Sequence, residues 1–331
     1  MSVGIAAAET YRLRPVAGAV VDVMCGARLI AVPLQEHIGH PKVNLQPAGQ
    51  FVRLCCSRRT RRVCKRRMTP TVPRFKLTIE YAGTRYSGWQ IQKNARTVQG
   101  EIDQAVRTVS GRKDFELYGS GRTDAGVHAL AQVAHLDVST GLPPDTLCRR
   151  INDELPSDIH VRSAQVVPHR FHARHDAVGR RYLYQVATRR TAFAKPYVWW
   201  VKEPLHVGRM EDAARGFLGM HDFAAFAVAD ADAEQSTRVL LERLDIVVDG
   251  SLILLGVEGS HFLWRMVRRL VGVLAAVGRG ELEVGATAAL LESRSDLPAK
   301  LTAPASGLFL ERVFYKGDSR DVQLKPATKV D

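Results

Sequence analysis

Cysteine is scarce over most of this 331-residue chain. Four of its five cysteines lie within the first 67 residues (Cys25, Cys55, Cys56 and Cys64), and Cys148 stands alone in the rest. We therefore expect no disulfide-framed fold, and this distribution is typical of proteins from a reducing compartment. The first cysteines lack a nearby fourth member that would complete a structural zinc set, so the sequence predicts no metal site.

Long apolar runs and several familiar catalytic motifs are also missing. No apolar run approaches the roughly 20 residues of a membrane span, so we expect no membrane association. The chain has no Gly-Lys-Ser/Thr phosphate loop, no His-Glu-x-x-His zinc helix and no Gly-x-Ser-x-Gly nucleophile elbow. With 46% hydrophobic and 24% charged residues, the composition is that of a soluble globular protein.

Acidic residues are few at the N-terminus. Residues 1–67 hold 12 Lys and Arg but 3 Asp and Glu, a net charge of +9, which leaves +4 of the total +13 for the remaining chain. A strongly basic chain favours an acidic partner, with nucleic acid the first candidate. Any nucleic-acid surface beyond residue 67 must therefore depend on the arrangement of its charges.

Residues 1–67 show no sustained periodicity, and three interpretations are open. They are a disordered basic tail, a targeting segment, or upstream DNA translated from a wrongly chosen start. Because Met68 directly precedes the first ordered-looking sequence, we favour the wrong start, with the disordered tail second. The apolar stretch at residues 17–23 is too short and interrupted for a secretory signal.

Beyond Met68 the hydrophobic periodicity predicts strands that alternate with helices. Strands are predicted at residues 75–81, 115–118, 131–138, 181–186, 244–248, 252–257 and 307–313, and helices at 98–110, 142–151, 210–218 and 262–277. Asp249-Gly250 marks a hairpin, so part of the sheet is antiparallel. We predict an α+β protein whose two halves, residues 68–170 and 171–318, flank a cleft, followed by a tail at 319–331.

The run Gly-Ser-Gly-Arg-Thr-Asp-Ala-Gly-Val-His-Ala at residues 119–129 is the strongest candidate for a functional loop. Its glycines permit sharp turns and close approach to a ligand. Asp124 lies between an arginine and a glycine, and an ionised carboxylate acts as a nucleophile or a base. A neighbouring cation, Arg122 or Arg268, would keep it ionised. From the residues alone we predict only an aspartate-dependent site in a protein whose favoured partner is RNA.

A series of motifs resembles the tRNA pseudouridine synthase A family. They are Gly-Trp-Gln at residues 88–90, the run at 121–129, Phe-His-Ala-Arg at 171–174, Arg-Tyr-x-Tyr at 181–184, Gly-x-His-Asp-Phe at 219–223, Phe-Leu-x-x-Met-Val-Arg at 262–268 and Ala-Pro-Ala-x-Gly-Leu at 303–308. They span about residues 74–315 in the family's order. The resemblance implies a pseudouridine synthase fold with a mainly antiparallel sheet and a catalytic cleft between its two halves.

The resemblance also implies a reaction and a substrate. Uridine is cut from its ribose at N1, rotated and rejoined through C5, at positions 38, 39 and 40 of the tRNA anticodon stem-loop. The family uses no metal or organic cofactor, is cytoplasmic and acts as a homodimer with tRNA across both subunits. Two copies would let a body of only +4 assemble a basic cleft.

Site roles follow from the resemblance residue by residue. Asp124 would be the nucleophile, with attack on base or sugar left open, and Arg268 would pair with it. Tyr182 would pack against the flipped base and help to remove the C5 proton. Leu308 would wall the pocket, and Arg122 would contact RNA or intrude where the base leaves the stack.

The chain departs from the family pattern in two places, and two other functions are alternatives to the one that the resemblance implies. Ala82 stands where the family usually has aspartate, and residues 152–156 carry an acidic pair where small or apolar residues are commoner. Both departures bear on RNA docking, and therefore on the substrate range rather than on the reaction type. The alternatives are a tRNA-binding protein without catalysis and a related synthase with shifted position specificity.

Overall fold

The computed structural model describes the backbone of residues 20–25 and 28–33 together with residues 72–228 and 236–330. The chain divides into two units, Met1–Arg67 and Met68–Asp331. In the first unit, strands β1 (Val20–Cys25) and β2 (Arg28–Pro33) pair antiparallel. The predictions for the basic run, for Cys55, Cys56 and Cys64, and for the origin of residues 1–67 lie outside the described residues.

The second unit contains the elements that the periodicity predicts and several more. Its strands are β3 (Arg74–Tyr81), β4 (Glu116–Gly119), β5 (His128–Asp137), β6 (Ile159–Val167), β7 (Ala177–Ala187), β8 (Trp199–Trp200), β9 (Gly219–Asp222), β10 (Arg238–Asp249), β11 (Leu252–Gly259) and β12 (Leu308–Tyr315). Its helices are α1 (Val98–Ser110), α2 (Pro144–Glu154), α3 (Val207–Arg215), α4 (Met266–Gly278), α5 (Ala286–Glu292) and α6 (Leu297–Lys300). None of these helices is long and apolar enough to cross a membrane.

One ten-stranded sheet runs through both predicted halves. Its order is β6-β3-β5-β12-β7-β11-β10-β9, with β4 on β5 and β8 on β7. All pairs are antiparallel except β12 with β5 and β8 with β7. The predicted α+β class with a mainly antiparallel sheet is therefore confirmed, while the division at residue 170 stays a prediction.

The first and second hydrophobic cores lie on either side of the junction made by β12. Helices α1 and α2 and strand β3 contribute to the first, and α3, α4 and β11 to the second. Helix α1 begins where Thr97 Oγ1 accepts a hydrogen bond from Gly100 N (3.2 Å) and ends at Gly111, whose φ is +65°. Tyr182 packs against both cores, which places it at their border.

Three local predictions were wrong or incomplete. Helix α3 stops at Arg215, because Gly219, at φ +103°, already opens strand β9. Helix α4 begins at Met266, because Arg265 adopts a left-handed φ of +61° that a continuous helix does not allow, so Phe262 lies before it. Strand β6 was not predicted, although its alternating buried residues carry the ordinary strand signal.

The predicted tail is packed against the sheet. Gln185 Oε1 accepts hydrogen bonds from Ala327 N (2.7 Å) and Thr328 N (3.4 Å), and Val330 is buried in a third cluster with Leu324 beside it. Successive side chains of a strand alternate between the faces of a sheet. Gln185 therefore lies on the face of β7 opposite Tyr182, and residues 319–330 contribute to the packing of that face.

A charged cluster occupies the same face of β7. Arg181 is fully buried, and its guanidinium lies 2.8 Å from Glu311, 3.5 Å from Glu258 and 3.5 Å from Asp245. Arg320, from the predicted tail, lies 3.2 Å from Glu258. A buried carboxylate without its cation is strongly unfavourable. The cluster therefore depends on Arg181.

We expect Arg181→Met to lower the free energy of unfolding by about 3–5 kcal/mol, because Glu258 and Glu311 would stay buried without their cation. Urea denaturation followed by circular dichroism measures this loss. Arg215→Ala is the matched control, since the Arg215–Asp212 pair lies on the surface with both side chains more than half exposed. That control should change stability by less than about 1 kcal/mol, and equal losses in the two variants would contradict the expectation.

Candidate active site

Residues 120–127 form the loop between β4 and β5. The two strands pair as far as Gly119 and Ala134, and the first two residues of β5 then pair with β12 instead. The loop therefore leaves the sheet where β12 enters it. Because β12 also pairs with β7, the loop lies beside the strand that carries Tyr182.

Close backbone packing fixes the loop against residues 81–89. Trp89 N donates to Thr123 O (3.1 Å), and Tyr81 Oη and Thr123 Oγ1 share a buried hydrogen bond of 2.8 Å. Gly88 has φ +95°, and a Cβ there would lie 2.5 Å from Thr123 O. A Cβ on Gly119 would lie 2.6 Å from the buried Trp89 ring. Both glycines are thus required for this approach, which holds the neighbour of Asp124 in one place.

Asp124 meets Arg268 across the cleft. The distance from Arg268 Nη1 to Asp124 Oδ2 is 3.3 Å, and the two side chains are 15% and 21% exposed. Arg268 Nε also donates to Ala303 O (2.7 Å), which fixes the plane of the guanidinium. Asp124 O accepts from Val127 N (3.2 Å). The carboxylate is therefore aimed by a cation that is itself held in place, yet it remains accessible to a ligand.

Helix α4 supplies Arg268 from an otherwise buried element. Of its thirteen residues, all except Arg268 are buried. A Cβ on Gly272 would lie 1.6 Å from Leu301 O. Glycine at this position therefore allows the 301–303 segment to lie close to the helix, where Ala303 contacts Arg268. Ala303 N donates to Arg268 O (3.0 Å). Arg268 lies within the helix that the sequence predicts at residues 262–277, three positions after the left-handed Arg265.

Tyr182 lies against Phe262 with their rings edge to face and the centroids 5.0 Å apart. Burial raises the pKa of Tyr182 to about 12, the charge of Arg180 opposes that rise, and the negative charge of Asp124 adds to it. The phenol is therefore protonated at neutral pH. Phe262, predicted as a helical core residue, instead helps to form the wall around Tyr182.

The two remaining predicted site residues, Leu308 and Arg122, differ in exposure. Leu308 is buried in the second core and pairs with Tyr184 across β7. Arg122 is exposed and lines a small pocket shared with Trp89, Tyr118 and Arg174, among others. The structure thus places Asp124 beside Arg268 and near Tyr182, while Leu308 lies in the core against which Tyr182 packs and Arg122 lies at the surface.

His128, Trp89 and Tyr184 have contacts that indicate structural roles. His128 Nδ1 accepts from Gly83 N (3.0 Å) and its Nε2 lies 3.0 Å from Pro196 O. Tyr184 Oη donates to Pro304 O (2.8 Å). Trp89 is 1% exposed. Each of the three polar side chains is satisfied by backbone groups or enclosed, so none offers a free group to a ligand.

The two departures from the family pattern lie near each other. Ala82 N donates to Asp158 O (2.9 Å), and Asp158 follows the segment with the acidic pair. Asp153 and Glu154 are exposed at the end of α2. Within the described ranges, no group of three or more His, Cys, Asp or Glu side chains is arranged to hold a metal ion.

Comparison with known proteins agrees with the geometry. A family model described as tRNA pseudouridine synthase matches residues 77–176 and 213–316. The tRNA pseudouridine synthase A of Rhodopseudomonas palustris (strain BisA53) is 41% identical over 248 residues, which cover 74% of this chain and all of that one. That of Acetivibrio thermocellus is 40% identical over 242 residues, covering 72% of this chain and 98% of the other. That of Geotalea uraniireducens (strain Rf4) is 41% identical over 243 residues.

The burial of His128 makes stability depend on pH. Burial lowers the pKa of His128 to about 4, below the value of about 6.5 in an unfolded chain. Between these values the unfolded chain binds a proton that the folded chain does not. Stability should therefore fall as the pH is lowered from 6.5 to 4, by about 3 kcal/mol from this residue, with little change above 6.5.

Urea denaturation at pH values from 4.5 to 7.5 measures this effect. His128→Asn, which retains an acceptor near Gly83 N, should be less stable at pH 7 but lose less stability on acidification. His160→Asn is the matched control, because His160 is exposed on β6 and its loss should leave the pH dependence intact. Equal slopes for wild type and His128→Asn would contradict the assignment. Burial also lowers the pKa of His135 to about 4, so part of the slope should remain.

Proposed function

The chain belongs to the tRNA pseudouridine synthase family, a family of isomerases, and we propose that it converts uridine to pseudouridine in the anticodon stem-loop of tRNA. The sites are positions 38, 39 and 40, and Asp124 is the nucleophile. The bond between uracil N1 and ribose C1′ breaks, the base rotates, and C5 bonds to C1′. The proton lost from C5 is balanced by one gained at N1.

The observation that carries the proposal is the 3.3 Å contact between Asp124 and Arg268. A nucleophilic carboxylate must be held in one orientation, and an opposed guanidinium that is itself anchored provides that orientation. The anchored loop and the Ala303 carbonyl hold the two partners from opposite sides. Such preorganisation lowers the cost of reaching the reactive geometry. Attack on either the base or the sugar is compatible with it.

The position of Tyr182 supports a role for it in packing against the base. Its ring lies between Phe262 and the two cores, and aromatic faces stack readily on unpaired bases. The raised pKa of its phenol keeps the proton in place, so removal of the C5 proton by Tyr182 would require it to pass its own proton on. Leu308, which belongs to the core against which Tyr182 packs, would add an apolar side to the base pocket.

Arginines around the cleft are suited to RNA phosphates. Arg122, Arg174 and Arg265 form no ion pair with any residue that the structure describes. Arg122 lies two residues from Asp124 at the edge of the cleft, where a side chain entering the RNA stack would offset the few kcal/mol needed to flip a base. Ionic contacts to phosphate give affinity and register without reading sequence. This supports tRNA as the substrate.

We further propose that the enzyme is a cytoplasmic homodimer whose two copies share the tRNA. One copy of the body carries a small excess of positive charge, whereas two copies would double the basic surface along one tRNA. Light scattering of the purified protein should return twice the chain mass of 36.6 kDa. A monomeric mass at micromolar concentration would contradict the dimer but leave the reaction untouched.

We expect Asp124→Asn to abolish pseudouridine formation, with single-turnover rates lowered by about 10⁴-fold or more. An amide retains the size of the carboxylate but not its charge or nucleophilicity, so folding and tRNA binding should persist. Tritium release from tRNA labelled at uridine C5 measures the rate, and fluorescence anisotropy measures binding. A rate near that of the wild type would overturn the role of Asp124.

Asp145→Asn is the matched control, because Asp145 is an exposed carboxylate on α2, and its rate should equal that of the wild type. Mapping pseudouridines in tRNA transcripts that carry one uridine at position 38, 39 or 40 tests the substrate sites. Modification at other positions would indicate a shifted specificity. Tight binding without any product from the wild type would indicate a binding protein without catalysis.

A further inference from the structure

Arg180 donates four hydrogen bonds to backbone carbonyls that belong to different segments. Its Nη2 donates to Ser120 O (3.2 Å) and Arg174 O (2.9 Å). Its Nη1 donates to Ser260 O (3.0 Å) and Ala177 O (3.2 Å). The planar, fixed geometry of a guanidinium allows it to bridge several acceptors at once. One side chain thus joins a segment 60 residues before it in the chain to a segment 80 residues after it.

Three of these carbonyls belong to segments that border the cleft. Ser120 opens the loop that carries Asp124. Ser260 follows β11 and opens the segment that places Phe262 against Tyr182. Arg174 is one of the arginines without an ion pair and lines the pocket beside Arg122. The Arg180 guanidinium therefore contacts the catalytic loop, the wall of the base pocket and a cationic edge of the cleft.

Arg180 has no carboxylate partner in the described part of the chain. Burial lowers its pKa, while the nearby phenols of Tyr182 and Tyr315 favour its charged form and Arg174 opposes it. Keeping a guanidinium partly buried without a counter-ion is unfavourable, and carbonyl acceptors offset only part of that cost.

The adjacent residue provides a comparison. Arg181 lies on the other face of β7 and pairs with Glu258 and Glu311. Among the described residues, its guanidinium forms no hydrogen bond with the loop that carries Asp124. Arg180 and Arg181 thus share a strand, a side-chain type and partial or full burial. They differ in their partners, since Arg181 holds acids and Arg180 holds the carbonyls of three cleft segments.

We propose that Arg180 is a positioning residue that sets the spacing of the catalytic loop, the Phe262 segment and the Arg174 segment around the bound uridine. The inference rests on the proposed function for its catalytic consequence. It acts through the backbone at Ser120, four residues before Asp124, and through the wall against which Tyr182 packs. Its effect should therefore fall on the chemical step more than on tRNA affinity.

Arg180→Lys tests the proposal because lysine retains the charge but a single ammonium cannot reach four separate carbonyls. We expect tRNA affinity within about twofold of the wild type and a single-turnover rate lowered about 10²-fold, as for reacting groups displaced by about 1 Å. Arg181→Lys is the matched control, which should lose stability but keep its rate per folded molecule. An unchanged rate in Arg180→Lys, or a loss confined to tRNA affinity, would overturn the proposal.

Two further readouts separate positioning from general destabilisation and from failure of the proposed reaction. Guanidinium at low millimolar concentration should partly restore the rate of Arg180→Ala, whereas ammonium at equal ionic strength should not. Hydrogen exchange in Arg180→Lys should rise in peptides covering residues 119–127, 171–176 and 260–265 but not in α1 or α4. Exchange does not depend on activity, so it tests Arg180 even if the wild type forms no pseudouridine. Uniformly increased exchange would contradict the proposal.

Discussion

The position of β12 between β5 and β7 is the constraint on which the site depends. Its consecutive residues Leu308, Phe309 and Leu310 belong to three different hydrophobic clusters, so a register shift by one residue would disrupt all three at once. The same register sets the loop after β4 beside Tyr182. The geometry of the cleft is therefore stabilised by apolar packing that lies outside it.

Helix α4 completes the site in a similar way, because its buried residues hold the helix in place while Arg268 contacts Asp124. A helix buried on every side is held by its packing, and α4 admits the 301–303 segment at Gly272. Arg268 is its one residue that reaches the cleft. The left-handed conformation of Arg265 is unfavourable for a residue with a side chain, and it ends the 260–265 segment just before the helix begins. Rigid elements thus meet at Asp124, while irregular backbone forms the surrounding wall.

Local patterns were sufficient for most elements because alternation and helical spacing reflect burial directly. Thr97 and Gly111 marked both ends of α1, and Asp249-Gly250 marked the hairpin. The start of α4 was missed because the apolar stripe extends back to Phe262. The left-handed conformation of Arg265 separates Phe262 from the helix. The insertion of β12 and the contact of Asp124 with Arg268 both depend on residues far apart in the chain, 144 positions for the second. Periodicity carries no information about such pairs, and only the ordered series of motifs connected Asp124 with Arg268.

Arginine placement explains how a body with little net charge can suit an anionic substrate. Arg181 and Arg320 are neutralised by buried or partly buried carboxylates on one face of the sheet. Arg122, Arg174 and Arg180, which border the cleft, have no such partner among the described residues. A cation already paired with a carboxylate contributes less to an external phosphate than an exposed unpaired cation such as Arg122. The charge available to an anionic substrate is therefore set by which arginines face acids as well as by the total of +4.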